Sequence, residues 1–266
     1  MARDIIDDRM IGAMHLRALT RKGLQHDRER EHLAVQAGTI DALLAGGYEG
    51  DATIADVLRM GDLGVGTVQG LGGELIILDG TAWLAAADGQ VHPVGGDTRT
   101  PFAVACRFSP DITREQSEAL NFAGILASVD ELAPEAATVV GIRIDGRFRD
   151  LRLRSVRPQT PPFLPLAEVV AHQTEWSIAA ATGTLVGFRF PDATAGVEVP
   201  GYHLHFVSED RTVGGHVLSA GMAEGAFALT VCDELHVELP AGVRLGTPGA
   251  TDRATITSVE GPRTDR

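Results

Sequence analysis

The tightest constraint on this chain is the run Gly201-Tyr-His-Leu-His-Phe-Val-Ser-Glu-Asp-Arg-Thr-Val-Gly-Gly-His-Val-Leu218, which reads as two β-prone segments around a polar turn. Side chains alternate along a strand, so His203 and His205 share one face while Leu204 and Phe206 share the other. A four-residue turn over Ser208–Arg211 sets Val207 against Thr212 and, counting back, His203 opposite His216. His205 then faces Gly214, which leaves room between the rings. Directly opposed Cβ atoms lie about 5 Å apart. Three neutral imidazoles with nothing closing the sphere describe a catalytic zinc-type site, since structural zinc sites are usually four-coordinate and rich in cysteine. A lone histidine is ordinarily a strand or packing residue. Three of nine on one face of one hairpin point instead to a metal, whereas His15, His26, His32, His92, His172 and His236 show no comparable grouping and read as surface or packing residues.

Composition narrows the class. At 266 residues the chain can bury a substantial core, and its 44% apolar and 22% charged content are those of a globular protein. With 36 acidic against 23 basic residues, the formal net charge of -13 argues against a nucleic-acid partner. No apolar run reaches bilayer-spanning length, and Met1-Ala-Arg-Asp-Ile-Ile-Asp-Asp8 lacks the order of a signal peptide, so no membrane partner and a cytoplasmic location are expected. Cys106 and Cys232 sit in apolar contexts and are expected as buried free thiols.

Patterning predicts an α+β, sheet-rich fold of two packed mixed or antiparallel β domains with a few helices. Residues 1–35 form an extension whose charged stretch Arg17–Glu31 suits a solvated helix or an arm. The segments 36–160 and 161–266 are the expected β-rich domains, divided at the cluster Pro158, Pro161, Pro162 and Pro165, with the metal in the second. Helices are expected at Ile40–Ala45 after Thr39, Ile54–Met60 after Asp51 or Thr53, Asp111–Leu132 and Leu166 to about Trp176. Tight hairpins are expected at Asp79-Gly80, Asp88-Gly89 and Asp145-Gly146, and four strands near Thr184–Phe190, Tyr202–Val207, Thr212–Ser219 and Phe227–Leu239. Charge also falls where burial is expected. Glu74 opens the apolar strand Glu-Leu-Ile-Ile-Leu, Arg143 interrupts Val139-Val-Gly-Ile-Arg-Ile144, and Glu260 ends Ile256-Thr-Ser-Val-Glu260. Each is either a solvent-facing residue or a member of a site, and spacing alone does not place them near the histidines.

Several blocks, in order, resemble the acetolactate decarboxylase family: Gly61-Asp-Leu-Gly-Val-Gly-Thr67, Gly73-Glu-Leu75 with Asp79-Gly80, Thr100-Pro-Phe-Ala103, Ile142-Arg-Ile-Asp-Gly146, Gly201-Tyr-His-Leu-His-Phe206 with Asp210-Arg-Thr212, and Gly214-Gly-His-Val-Leu218. The resemblance runs from about Gly38 to Gly261. It implies that His203, His205 and His216 bind zinc or another divalent metal, and that Glu74, Arg143 and Glu260 are catalytic. The chain departs from the family in its long arm before Val35 and in Leu63 and Val68, where the family usually has phenylalanine. The implied reaction converts 2-acetolactate, a small 2-hydroxy-3-keto acid, to acetoin and carbon dioxide. A Lewis-acidic ion would stabilise the enediolate left behind. Arg143 would orient the departing carboxylate, and Glu74 or Glu260 would deliver a proton. A homodimer is compatible with the sequence. The rival reading is a cupin-like dioxygenase or isomerase using His203, His205 and Glu209, although its upstream glycine spacing is off by one and Glu209 reads better as turn. A third reading makes the metal a mere staple of the hairpin, which leaves Glu74 and Arg143 unexplained.

Overall fold

The protein is described by a computed structural model covering residues 15–19, 32–134 and 138–238. Residues 20–31 of the arm and Glu260 lie outside the described residues. Within them the fold is sheet-rich α+β, as expected. A mixed eight-stranded sheet runs in the order His15–Leu19, Glu234–Glu238, Leu33–Ala37, Ala103–Cys106, Leu63–Thr67, Glu74–Leu78, Thr81–Ala85 and Val91–Pro93. An antiparallel five-stranded sheet runs Ile112–Gln116, Gly214–Cys232, Val139–Ser155, Thr174–Phe190 and Gly201–Ser208, and the last strand pairs back onto Gly214–His216, closing a ring of four. No helix among the described residues is long and apolar enough to cross a membrane.

The two sheets pack face to face through the core that holds Val65, Ile76, Leu78, Val186, Phe188 and Val207. Strand alternation explains why Leu185 and Val186 belong to different cores: Val186 faces the eight-stranded sheet, and Leu185 faces the side covered by the helix Phe122–Leu132. The outer face of the larger sheet is covered by Ile54–Met60, whose Ile54 and Val57 pack on Leu75 and Ile77. That helix starts where the sequence says it should. Thr53 and Asp56 form a reciprocal capping box, and Gly61 ends the helix. Cys106 and Cys232 are buried and free, one from each sheet, in the shared core.

Three elements differ from expectation. Asp145-Gly146 is not a turn but the middle of one 17-residue strand, Val139–Ser155. Gly146 lies between Gly183 and Gly225, and a Cβ there would meet the Glu224 carbonyl oxygen at 2.6 Å, so this glycine row serves close strand approach. Asp111–Leu132 divides into the strand Ile112–Gln116, whose Arg114 lies over the Phe227 ring, and a helix capped by Asn121. The helix at Leu166 stops at Val170, and Trp176 stands in the next strand. Among the described residues the five-stranded sheet takes strands from both sides of the proline cluster, and Glu234–Glu238 returns to pair with Leu33–Ala37.

Candidate active site at the junction of the sheets

The hairpin forms with its polar turn one residue further along than counting suggests. Ser208 N donates to Val213 O at 2.9 Å, and Asp210 accepts from Ser208 Oγ and from both Thr212 N and Thr212 Oγ1, which closes the loop Glu209–Thr212. His205, not His203, therefore lies opposite His216, and Gly214 faces Val207. Moving the pairing by two positions preserves side-chain parity, so all three histidines still share a face. Their ring centroids form a near-equilateral triangle of 5.0, 5.3 and 5.3 Å. One donor atom from each lies within 4.8 Å of the others, and among the described residues this is the one cluster with metal-ligand geometry.

The environment suits a cation. His203 Nδ1 and His205 Nε2 are buried without a hydrogen-bond partner, while His205 Nδ1 donates to the Leu75 carbonyl at 2.8 Å. That bond fixes the His205 tautomer and leaves the Nε2 lone pair directed at the cluster. Burial, with the nearby Arg154 charge second, pushes the His203 pKa down to about 3. Burial likewise pulls His205 well below its ordinary value, helped by His203. Neutral imidazoles are the ligating form. The donor set therefore fits a divalent ion, and three nitrogens fit zinc.

The fold brings Glu74 to the cluster, which its spacing in the sequence alone did not do. Its Oε2 stands 3.5 Å from His205 Nε2, and the side chain is buried. It opens the strand Glu74–Leu78, and the preceding turn is held by Thr67 Oγ1 donating to Gly73 O at 2.8 Å. Gly73 has φ +141° and its Cβ would meet the Ala85 carbonyl oxygen at 2.5 Å, so the approach to Glu74 needs glycine.

Arg143 is not brought there. Its Nε donates to Asp145 at 2.6 Å and its Nη1 to Asp79 at 2.7 Å, and it lines a separate cavity with Leu63, Leu78 and Phe108. Val186 stands between it and His205 across the strands. The arginine at the site is Arg154, eleven residues further along the same strand, which lies opposite His216 and places Nη1 4.0 Å from Glu74 Oε1 with only 3% of its side chain exposed. The available signal was the alternation Leu151-Arg-Leu-Arg154: Leu151 and Leu153 enter the core, Arg152 reaches Glu175 near the surface, and Arg154 is buried. Register shifts between Arg147 and Leu153, with Asp150 at φ +50°, reset which residues face the cluster. Glu209, required by the cupin-like reading, is exposed in the turn and outside the cluster.

Burying three imidazoles, a carboxylate and a guanidinium at one point gives up folding stability. A scaffold that does so is organised for chemistry, and this one is an enzyme. Residues 35–245 match the family model described as alpha-acetolactate decarboxylase. The chain is 41% identical over 206 residues to the alpha-acetolactate decarboxylase of Methanosarcina mazei, covering 77% of this chain and 72% of that protein. It is 39% identical to the one of Methylococcus capsulatus, covering 79% and 81%. The crystal structure of alpha-acetolactate decarboxylase from Bacillus subtilis strain 168 superposes with a TM-score of 0.82 at 31% identity, over 86% of this chain and 99% of that one. The chain belongs to the alpha-acetolactate decarboxylase family and is a carboxy-lyase.

Proposed function

We propose that the chain decarboxylates 2-acetolactate to acetoin and carbon dioxide, with a divalent cation, zinc by its donor set, held by His203, His205 and His216. The observation that carries this reading is Glu74, a carboxylate set within 3.5 Å of an imidazole of the cluster and 4.0 Å of a buried guanidinium. Such a cation, when bound, supplies Lewis acidity toward the hydroxyl and keto oxygens of the substrate.

The protein's own residues account for the remaining steps. Arg154 offers a planar fork of donors to the substrate carboxylate in a site from which bulk water is largely excluded. Fission of the carbon–carbon bond releases carbon dioxide and leaves its electron pair on carbon 2, which delocalises into the adjacent carbonyl as an enediolate. Glu74 stands where it can hold and return the proton that converts this species to acetoin. Glu260 remains a second candidate carboxylate through the family resemblance, outside the described residues.

The direct test is metal analysis of the purified protein together with acetoin and carbon dioxide formation from 2-acetolactate. One bound divalent ion per chain and stoichiometric products are expected. A metal-loaded, folded protein that forms no acetoin would overturn the reading.

A further inference from the structure

We infer that Leu43 and Leu166, carried on two short helices that meet over the site, set the size of alkyl group the substrate can bring; the inference rests on the decarboxylase reading above. The pocket beside the histidines has two unlike sides. Thr67, Glu74, Arg154 and His203 supply polar groups, whereas Leu43, Leu71, Phe102, Val156 and Leu166 supply an apolar wall. A 2-hydroxy-3-keto acid has the same division, with a carboxylate and two oxygens at one side and alkyl carbon at the other. Its polar groups are committed to Arg154 and the histidine cluster, which leaves the alkyl carbon to the wall.

The wall fits closely. Leu43 and Leu166 are 4% and 2% exposed, and the free space between wall and polar groups is about 20 Å³, room for one water-sized body. Every added methylene on the substrate therefore presses on the same side chains.

The wall is also braced, which gives the proline-rich segment a role the catalytic residues do not. Leu166 follows directly on Pro165, and this segment is tied back to the loop that follows the helix carrying Leu43. Tyr48 donates its hydroxyl hydrogen to Leu164 O at 2.7 Å and sets its ring edge-on to Phe163. Gln159 N donates to Gly70 O, and Gly70 N donates to Tyr48 O at 2.8 Å, which draws the Leu71 turn into the same brace. A braced wall discriminates by size better than a mobile one, because an oversized group cannot be accommodated by a loop that simply swings away.

The test uses the full-length, metal-loaded enzyme and its Leu166→Ala, Leu43→Ala and Leu166→Phe variants, with Leu164→Ala, at a 48% exposed position, as control. Substrates are 2-acetolactate and its two one-methylene homologues, ethyl at carbon 2 and propionyl in place of acetyl. For at least one homologue, the kcat/KM ratio to 2-acetolactate should rise about five- to tenfold in the alanine variants, chiefly through KM, and fall in Leu166→Phe. In parallel, calorimetry with unreactive 2-hydroxy-2-alkyl acids of methyl and ethyl size should show the same order of affinities. Folded Leu166→Ala and Leu166→Phe proteins whose ratios and affinities both stay within twofold of the parent would overturn the inference. A parent that turns over none of the three substrates sinks the decarboxylase reading instead, and the calorimetric series then decides the wall by itself.

Discussion

Arg154 lies directly across the strand pair from His216 and reaches 4.0 Å from Glu74, so one guanidinium joins the strand that carries a metal-ligand candidate to the strand of the other sheet that carries the carboxylate. Ser155 extends the junction by donating its hydroxyl hydrogen to the carbonyl of Ala85, the residue opposite Glu74. The site therefore depends on how the two sheets seat on one another.

Arg154→Lys should cut turnover by about a hundredfold or more while metal stoichiometry stays at the parent value, because the ammonium keeps the charge and loses the two-pronged fork. Arg143→Lys should change turnover by less than about threefold, since its carboxylate partners are Asp79 and Asp145 at a half-exposed position. Steady-state acetoin production by both folded variants checks this. Equal losses in the two would return Arg143 to the mechanism.

Glu74→Gln should reduce turnover about a hundredfold or more if the carboxylate moves the proton, with fold and metal content preserved. Single-turnover kinetics separates this from weaker substrate binding. A near-parental rate would remove Glu74 from the proton transfer.

His216→Ala should abolish tight metal binding, and Glu209→Ala should leave it nearly intact, because His216 completes the buried triangle and Glu209 is exposed in the turn. Metal analysis after dialysis decides between them. The reverse result would favour the cupin-like ligand set.

Acid should destabilise the metal-free protein from about pH 6.5 downward. In the unfolded chain each histidine takes a proton near its ordinary pKa of about 6.5, while burial holds His203 at about 3 and His205 well below its ordinary value. Between those limits the unfolded state binds more protons, so stability is fully present above about pH 6.5 and falls as pH drops toward the folded value. For His203 the loss is about 2 kcal/mol by pH 5. Urea unfolding of metal-free protein at pH 7 and pH 5, with His203→Gln for comparison, measures it. A pH dependence that His203→Gln leaves unchanged would contradict the assignment.

Removing residues 1–31 should lower thermal stability while decarboxylation per bound metal stays unchanged. His15–Leu19 pairs in parallel with Glu234–Glu238 at the end of the larger sheet, and its loss uncovers that strand's edge. Thermal scans, sedimentation and turnover on the truncated protein check the separation. A folded, metal-loaded but inactive truncation would place the arm in the site.

The sequence by itself determined what is local. Alternation put His203, His205 and His216 on one face, and that survived a turn displaced by one residue because the pairing moved by two positions, an even step. The Thr39 and Thr53 caps and the Asp79-Gly80 hairpin were legible for the same reason: each depends on a few neighbouring residues. Tertiary structure decided the rest. Asp145-Gly146 has the composition of a turn and became mid-strand because strands on both sides hold it extended. Arg143 and Arg154 look alike in sequence, and register shifts after Arg147 send one to Asp79 and the other to Glu74. A bulge or a cross-sheet contact is set by partners tens of residues away, so the strand's own period carries no record of it.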